Sequence, residues 1–224
     1  MMANRSIRPG LYAITDSRLT SGDSLVTAVE AALRGGATLV QYRDKQADDT
    51  TRLKQARDLA AACHNAGVPL IINDDPHLAR RCGADGVHLG QQDSDPLAAR
   101  RLLGDSALLG ITCHGQLALA EKACADGADY LAFGRFYPSG TKPEAPEAEP
   151  GILGQARYLR LPITAIGGIN INNAEPLILA GADLLAVIGG LFSGPADLIE
   201  SRARAFSRLF ARHHPLFSQS SSGA

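Results

Sequence analysis

Apolar positions along the chain fall into a repeating arrangement. Four times a turn of small residues introduces a short apolar run: Gly36-Ala37-Thr38, Gly83-Ala84-Asp85, Gly127-Ala128-Asp129 and Gly181-Ala182-Asp183. Each glycine suits the point where a helix stops, and each run after it suits a strand buried on both faces. Four further apolar runs lie between these, at residues 11–14, 69–72, 108–111 and 162–166. Eight strands are therefore predicted. Segments with helical spacing fill the gaps, among them 24–34, 50–66, 116–126, 173–180 and 195–211. Repeating β-α eight times with right-handed crossovers predicts an α/β protein built as a single (β/α)8 TIM barrel. An open, doubly wound sheet is the alternative.

At 224 residues the chain can bury one substantial core, so one domain is expected. Residues 1–212 are assigned to the barrel. Residues 213–224 are rich in Ser and aperiodic, which predicts a disordered tail. With 45% hydrophobic and 20% charged residues, the composition is that of an ordinary globular protein. The net charge of -1 gives no field that would gather nucleic acid or an anionic membrane, so neither is expected as a partner. Anion binding must come from local cations and oriented backbone amides. No run approaches a membrane span, and the polar start carries Arg5 and Arg8 without an apolar stretch behind them. Cys63, Cys82, Cys113 and Cys124 form no Cys-x-x-Cys pair, which argues against a zinc site or a disulfide framework. A cytoplasmic location is expected, and a homo-oligomer stays open.

In a barrel of this kind reactive groups gather where strands end, so the polar residues there carry the functional reading. After the second strand comes Gln41-Tyr42-Arg43-Asp44-Lys45. Strand alternation lets Gln41, Arg43 and Lys45 project together, a trio suited to a polyanion; a solvated loop is the plainer alternative. The third strand ends in Asn73-Asp74-Asp75 and the fourth in Gly90-Gln91-Gln92-Asp93. Asp74 and Asp93 can share a hard divalent cation, which predicts Mg²⁺, while Asp75 suits the cap of a helix starting at Pro76. Thr112 at the fifth strand end offers a hydroxyl. Cys113 and His114 are not read as a nucleophile and base, because neighbours on a strand point to opposite faces; His114 is expected to precede or cap the next helix. The long segment 134–150 looks like a lid, with Ser139, Thr141 and Lys142 as phosphate ligands or, alternatively, as part of an acidic flexible loop. Gly167-Gly168-Ile169 and Ile188-Gly189-Gly190 end the last two strands, where barrels often hold phosphate, although glycines also serve purely steric needs.

The basic and acidic groups on strands two to four and the glycines on strands seven and eight occupy different arcs of the mouth. Two phosphorylated small-molecule ligands are implied. In this order and placement, Gln41-x-Arg43-x-Lys45, Asn73-Asp74, Gly90-x-x-Asp93, Ser139-x-Thr141-Lys142, Gly167-Gly168-Ile169 and Ile188-Gly189 resemble the thiamine-phosphate synthase family over nearly the whole chain. The resemblance implies a transferase of thiamine biosynthesis. Such an enzyme couples 4-amino-2-methyl-5-hydroxymethylpyrimidine diphosphate to 4-methyl-5-(2-hydroxyethyl)thiazole phosphate, giving thiamine phosphate and diphosphate. By the same resemblance Gln41, Arg43, Lys45, Asn73, Thr112 and Lys142 contact the pyrimidine diphosphate, and Arg43, Lys45, Lys142 and Thr112 are the catalytic set. Asp74 and Asp93 hold Mg²⁺. Ser139, Thr141, Gly168, Ile188 and Gly189 contact the thiazole phosphate. The chain departs from the family pattern at Ser139, where Thr is usual, and at Gly189, often Ser. Two other functions fit the same barrel: a thiazole tautomerase-like isomerase and a non-catalytic sensor of phosphorylated ligands.

Overall fold

The structure, a computed structural model, describes residues 7–20, 22, 24–140, 144 and 146–218. Strands β1 (Gly10–Ile14), β2 (Ala37–Tyr42), β3 (Leu70–Asn73), β4 (Gly86–Leu89), β5 (Leu108–His114), β6 (Tyr130–Phe133), β7 (Ile163–Ile166) and β8 (Leu184–Val187) pair in parallel in chain order. The sheet closes where Gly10 to Ala13 of β1 pair with Leu184 to Val187 of β8. The closed barrel, not the open sheet, is the fold.

Helices α1 (Ser24–Arg34), α2 (Asp49–Asn65), α3 (Pro76–Cys82), α4 (Pro96–Leu103), α5 (Leu117–Ala125), α6 (Gly151–Gln155) and α7 (Glu175–Leu179) follow the first seven strands. A short 3₁₀ turn, Ala156–Leu159, extends α6. After β8 come α8 (Gly189–Phe192), α9 (Ala196–His213) and α10 (Pro215–Ser218). Strand alternation sorts the apolar side chains into two cores. Tyr12, Ile14, Leu39, Ile71, Leu108, Tyr130 and Leu184 fill the barrel interior. Leu11, Val40, Ile72, Val87, Leu109 and Leu131 face out and pack with the helices. None of the helices among the described residues is long and apolar enough to cross a membrane.

The small-residue turns have a second role beyond stopping helices. Gly83, in the left-handed region at φ 75°, ends α3. Two residues later Asp85 turns its carboxylate back to the backbone N–H of Leu70 at 2.8 Å. Asp129 does the same to Leu109 and Asp183 to Ile163, both at 2.8 Å. Each carboxylate also meets a cationic or imidazole group from a neighbouring helix or turn: His64 at 3.0 Å, Arg100 at 2.6 Å and His214 at 3.0 Å. The repeat is thus a set of clamps that tie the lower ends of adjacent strands together.

His214 corrects the expected boundary at residue 212. Its side chain is 4% exposed, it bonds Asp183, and its ring packs near Phe210 and Phe217. Helical structure runs on through α10, which packs against α9, while His214 between them bonds Asp183 just before β8. Residues 219–224 of the expected tail lie outside the described residues.

Candidate active site

The strands of the barrel bring their C-terminal ends to one cavity of about 540 Å³. On one side it is lined by Gln41, Arg43, Asn73 and Thr112, and on the other by Ser139, Gly168, Ile188 and Gly189. Alternation works as expected on β2. Gln41 and Arg43 face the cavity while Tyr42 packs outward and donates its hydroxyl to Gln55 at 2.6 Å. Thr15 fixes the strand end by accepting from the Arg43 backbone N–H at 2.9 Å.

Lys45, Asp74 and Asp93 are not among the residues that line the cavity; Lys45 Nζ lies 3.0 Å from the carboxylate of Asp74, which follows the cavity-lining Asn73. Asp74 adopts the left-handed conformation, φ 64°, which Asp tolerates better than most residues, and its N–H donates to the carbonyl of His88 at 2.9 Å. This turn directs Asp74 toward Asp93, whose own carboxylate is anchored by the Gly90 N–H at 2.7 Å. Burial pushes the Asp93 carboxyl above the usual carboxylate range, and its hydrogen bond with Asp74 pushes it further. Lys45 offsets part of the charge that two carboxyl groups this close would carry if both ionised. Asp75, next in sequence, instead caps α3 by accepting from Leu78 N–H at 2.9 Å, as expected.

The donor set fits a hard divalent cation of the Mg²⁺ type. Asp74 and Asp93 offer carboxylate oxygens, and among the described residues no cluster of three or more His, Cys, Asp and Glu surrounds them. Mg²⁺ characteristically takes one or two carboxylates and completes its shell with water and substrate phosphate.

Across the cavity, the glycines divide by need. A Cβ at Gly168 would lie 2.4 Å from the Pro138 carbonyl oxygen, and one at Gly190 would lie 2.3 Å from that of Ile169. At Gly189 the nearest atom would be Ser193 Oγ at 3.9 Å, so that position has room for a side chain. The segment after β6 presses onto Gly167 and Gly168: Phe136 N–H donates to Ile166 O and Tyr137 N–H to Gly167 O. Arg135 and Ala148 pair through their backbones, which brings the two ends of this long segment together. Ser139 lines the cavity, whereas Thr141 and Lys142 lie outside the described residues.

Comparison with known proteins decides what kind of site this is. A family profile described as thiamine monophosphate synthase matches residues 11–191. A thiamine-phosphate synthase of Marinobacter nauticus is 65% identical over 214 residues, covering 96% of both chains. The chain belongs to the thiamine monophosphate synthase family. Among solved structures, thiamine phosphate pyrophosphorylase from Pyrococcus furiosus superposes with a TM-score of 0.82 at 28% identity, over 92% of this chain and 97% of its own. A thiamine phosphate pyrophosphorylase from Bacteroides thetaiotaomicron, 15% identical with a TM-score of 0.67 over 92% and 99% of the two chains, shares the fold.

Several groups in this thiamine monophosphate synthase family site escaped the sequence reading. Asp16, just past β1, bonds Arg18 at 2.7 Å and lies 3.8 Å from Arg43, so it aims two arginines at the cavity. The Arg18 hydrogen bond, opposed by burial, holds the Asp16 carboxyl below its usual range. The signal was available, because Asp16 follows an apolar run just as Asp74 does. His88 and Thr164 also line the cavity. Both sit inside apolar runs and read as core unless each strand's inward register is tracked. Thr164 is fully buried and its hydroxyl has no hydrogen-bond partner among the described residues. His114 also lines the cavity; it precedes α5 without capping it, since Gln116 holds that position. Cys113 points away from it into the outer core, with burial pushing its thiol up to about 12, which leaves no nucleophile–base dyad.

Proposed function

We propose that this protein condenses 4-amino-2-methyl-5-hydroxymethylpyrimidine diphosphate with 4-methyl-5-(2-hydroxyethyl)thiazole phosphate to give thiamine phosphate and diphosphate. The carrying observation is the division of one cavity. Gln41, Arg43 and Asn73 line one side, with the Lys45–Asp74–Asp93 cluster following them along the chain, and the Ser139, Gly168 and Gly189 arc lines the other. That layout accommodates a diphosphate and a monophosphate at once. The M. nauticus relative carries the name of this activity at 65% identity.

In this reading the C–O bond between the pyrimidine methylene and the diphosphate breaks first, and the bonding electrons leave with the diphosphate. Arg43 and Lys45, with Lys142, stabilise the charge that accumulates there. Bound between Asp74 and Asp93, Mg²⁺ would supply further neutralisation of the phosphate oxygens. The aminopyrimidine ring stabilises the remaining methylene cation. The thiazole nitrogen then donates its lone pair to that carbon, forming the new C–N bond. No protein nucleophile takes part, which agrees with the burial of Cys113 away from the cavity. Holding both partners by their phosphates supplies the orientation. Pro138, Ser139 and Gly140, which line the cavity, would help exclude water from it.

The test is release of diphosphate when both half-substrates and Mg²⁺ are supplied. Release that requires all three supports the coupling reaction. No release above background from folded protein rules it out, leaving binding alone or thiazole isomerisation to be assayed in its place.

A further inference from the structure

At the floor of the cavity, five side chains from five strands form an unbroken hydrogen-bonded chain. Gln41 Nε2 donates to the Tyr12 hydroxyl at 2.6 Å. Tyr12 and Tyr130 hydroxyls are 2.8 Å apart, Tyr130 OH is 3.0 Å from His88 Nδ1, and His88 Nε2 is 2.9 Å from Thr112 Oγ1. Gln41, Tyr12, His88 and Thr112 line the cavity, while Tyr130 is fully buried behind them. Tyr130 fits because β5 carries Gly110 beneath its ring; a Cβ there would come within 2.0 Å of the ring.

The chain has a direction. Because Gln41 donates to Tyr12, the Tyr12 proton points to Tyr130, and the Tyr130 proton points to His88 Nδ1. Burial raises both phenols above their ordinary values, so both keep their protons. His88 then carries its proton on Nε2 and donates it to Thr112. Every buried donor is paired in this arrangement. With Gln41 held as donor, turning the rest round would leave the Tyr12 proton unpaired in the barrel interior, which costs the full desolvation of that group. Only if Gln41 also turned its amide over could the whole chain reverse, so the two ends are locked to each other.

We propose that Tyr12, Tyr130 and His88 are positioning residues that fix the hydrogen-bonding sense of the cavity floor: the Gln41 carbonyl stands as an acceptor and the Thr112 hydroxyl as a donor. An amino-substituted nitrogen heterocycle matches that pair, offering an N–H to Gln41 and a ring lone pair to a hydroxyl donor. A ring with a carbonyl in place of the amino group mismatches it. A site built on buried hydrogen bonds discriminates strongly against such an analogue. This proposal rests on the aminopyrimidine reading given above.

Two measurements test it. In the ligand-free protein labelled with ¹⁵N-histidine, His88, identified by loss of its signals in His88→Gln, is expected as the neutral Nε2–H form. The Nδ1–H form or an imidazolium overturns the proposed direction. Calorimetry then compares binding of 4-amino-2-methyl-5-hydroxymethylpyrimidine with its 4-oxo counterpart, avoiding any effect on the chemical step. Tyr130→Phe, which keeps the ring, is expected to lower the preference for the amino compound at least tenfold while thiazole phosphate binding stays within twofold. An unchanged preference in folded Tyr130→Phe overturns the positioning role. Failure of wild-type protein to release diphosphate would count against the coupling reaction alone, because the tautomer is read without turnover.

Discussion

The two ends of the barrel are made from the same strands and put acidic residues to opposite uses. At the lower end Asp85, Asp129 and Asp183 each accept from a backbone N–H of the adjoining strand and meet a cation or imidazole. At the mouth Asp74 and Asp93 are turned on each other, one of them through a left-handed backbone. Lower-end carboxylates are each met by partner groups from the fold; at the mouth Lys45 answers one member of a carboxyl pair that crowd each other. Cavity size does not separate the two ends. A hollow of about 750 Å³ lies among the lower ends of β3 to β5, but Asp85 in its wall is spent on Leu70 and His64 and Arg101 is near Asp95. What marks the mouth is a pair of carboxyl groups turned on each other.

The largest expected effect breaks the mouth. Asp93→Ala should lower turnover on the order of 10²–10³-fold by removing stabilisation of the departing diphosphate. Thiazole phosphate binding should hold within about threefold, since that anchor lies across the cavity. Thermal stability should change by less than about 1 kcal/mol, because loss of the acceptor for the Gly90 N–H is offset by relief of the crowding with Asp74. Steady-state kinetics, calorimetry and a melting curve together check this. Equal loss of turnover and thiazole phosphate affinity would remove Asp93 from the diphosphate side.

Asp129→Ala is the matching change below. It strips the acceptor from Leu109 N–H and leaves Arg100, whose side chain is 16% exposed, without its carboxylate. A loss of about 3 kcal/mol is expected from breaking a largely buried pair. For a chain of this size that corresponds to roughly 6–12 °C in melting temperature. Turnover per folded molecule should stay within twofold of the parent. Asp129→Asn, which keeps a carbonyl for the backbone donor, should recover part of the stability. If Asp129→Ala instead lowers turnover of fully folded protein, the two ends are not separable in the way described.

Asp16 belongs to both ends of the comparison, being a carboxylate at the mouth that the fold has already satisfied. Asp16→Asn should raise the KM for the pyrimidine diphosphate severalfold by loosening Arg18 and Arg43. It should cost about 1 kcal/mol at neutral pH, a figure kept small because Arg18 is half exposed. The sign with pH follows from the lowered carboxyl. Its contribution is complete above the ordinary Asp range and is lost as pH falls through its depressed value. Denaturation curves of parent and variant should therefore converge on acidification; a gap that widens there would contradict the Arg18 pairing.

The architecture was legible in the sequence because the clamp motif and the strand share one short segment, so the repeat marks each even strand directly. The role of its Asp was not legible, since the backbone N–H it serves belongs to another β-α unit. At the mouth, Gln41, Arg43, Asn73 and Asp74 could be read from alternation and position just after a strand. His88 could not, because its signal was one imidazole in the apolar run Gly86–Leu89, and its meaning depends on Tyr130 more than forty positions away. Asp16 was readable by the rule that found Asp74. The end of the domain was misplaced because α10 is held by one His–Asp contact and aromatic packing rather than by a periodic pattern.

The smallest expected effect sharpens the mouth instead of breaking it. Gly189 is the one departure from the family pattern that removes a polar group, and a Cβ there would meet only Ser193 Oγ at 3.9 Å. Its φ is not in the left-handed region, so no backbone strain opposes a side chain. Gly189→Ser should add one hydroxyl beside the thiazole phosphate and lower its KM about two- to tenfold, the span of a single net hydrogen bond. Stability should change by less than about 0.5 kcal/mol. Gly190→Ser, one residue on, gives the control: its Cβ would lie 2.3 Å from the Ile169 carbonyl oxygen, so the backbone must shift and the fold should weaken. A KM unchanged in Gly189→Ser, with Gly190→Ser destabilised as expected, would mean that backbone groups alone hold the phosphate and that the missing hydroxyl costs this chain nothing.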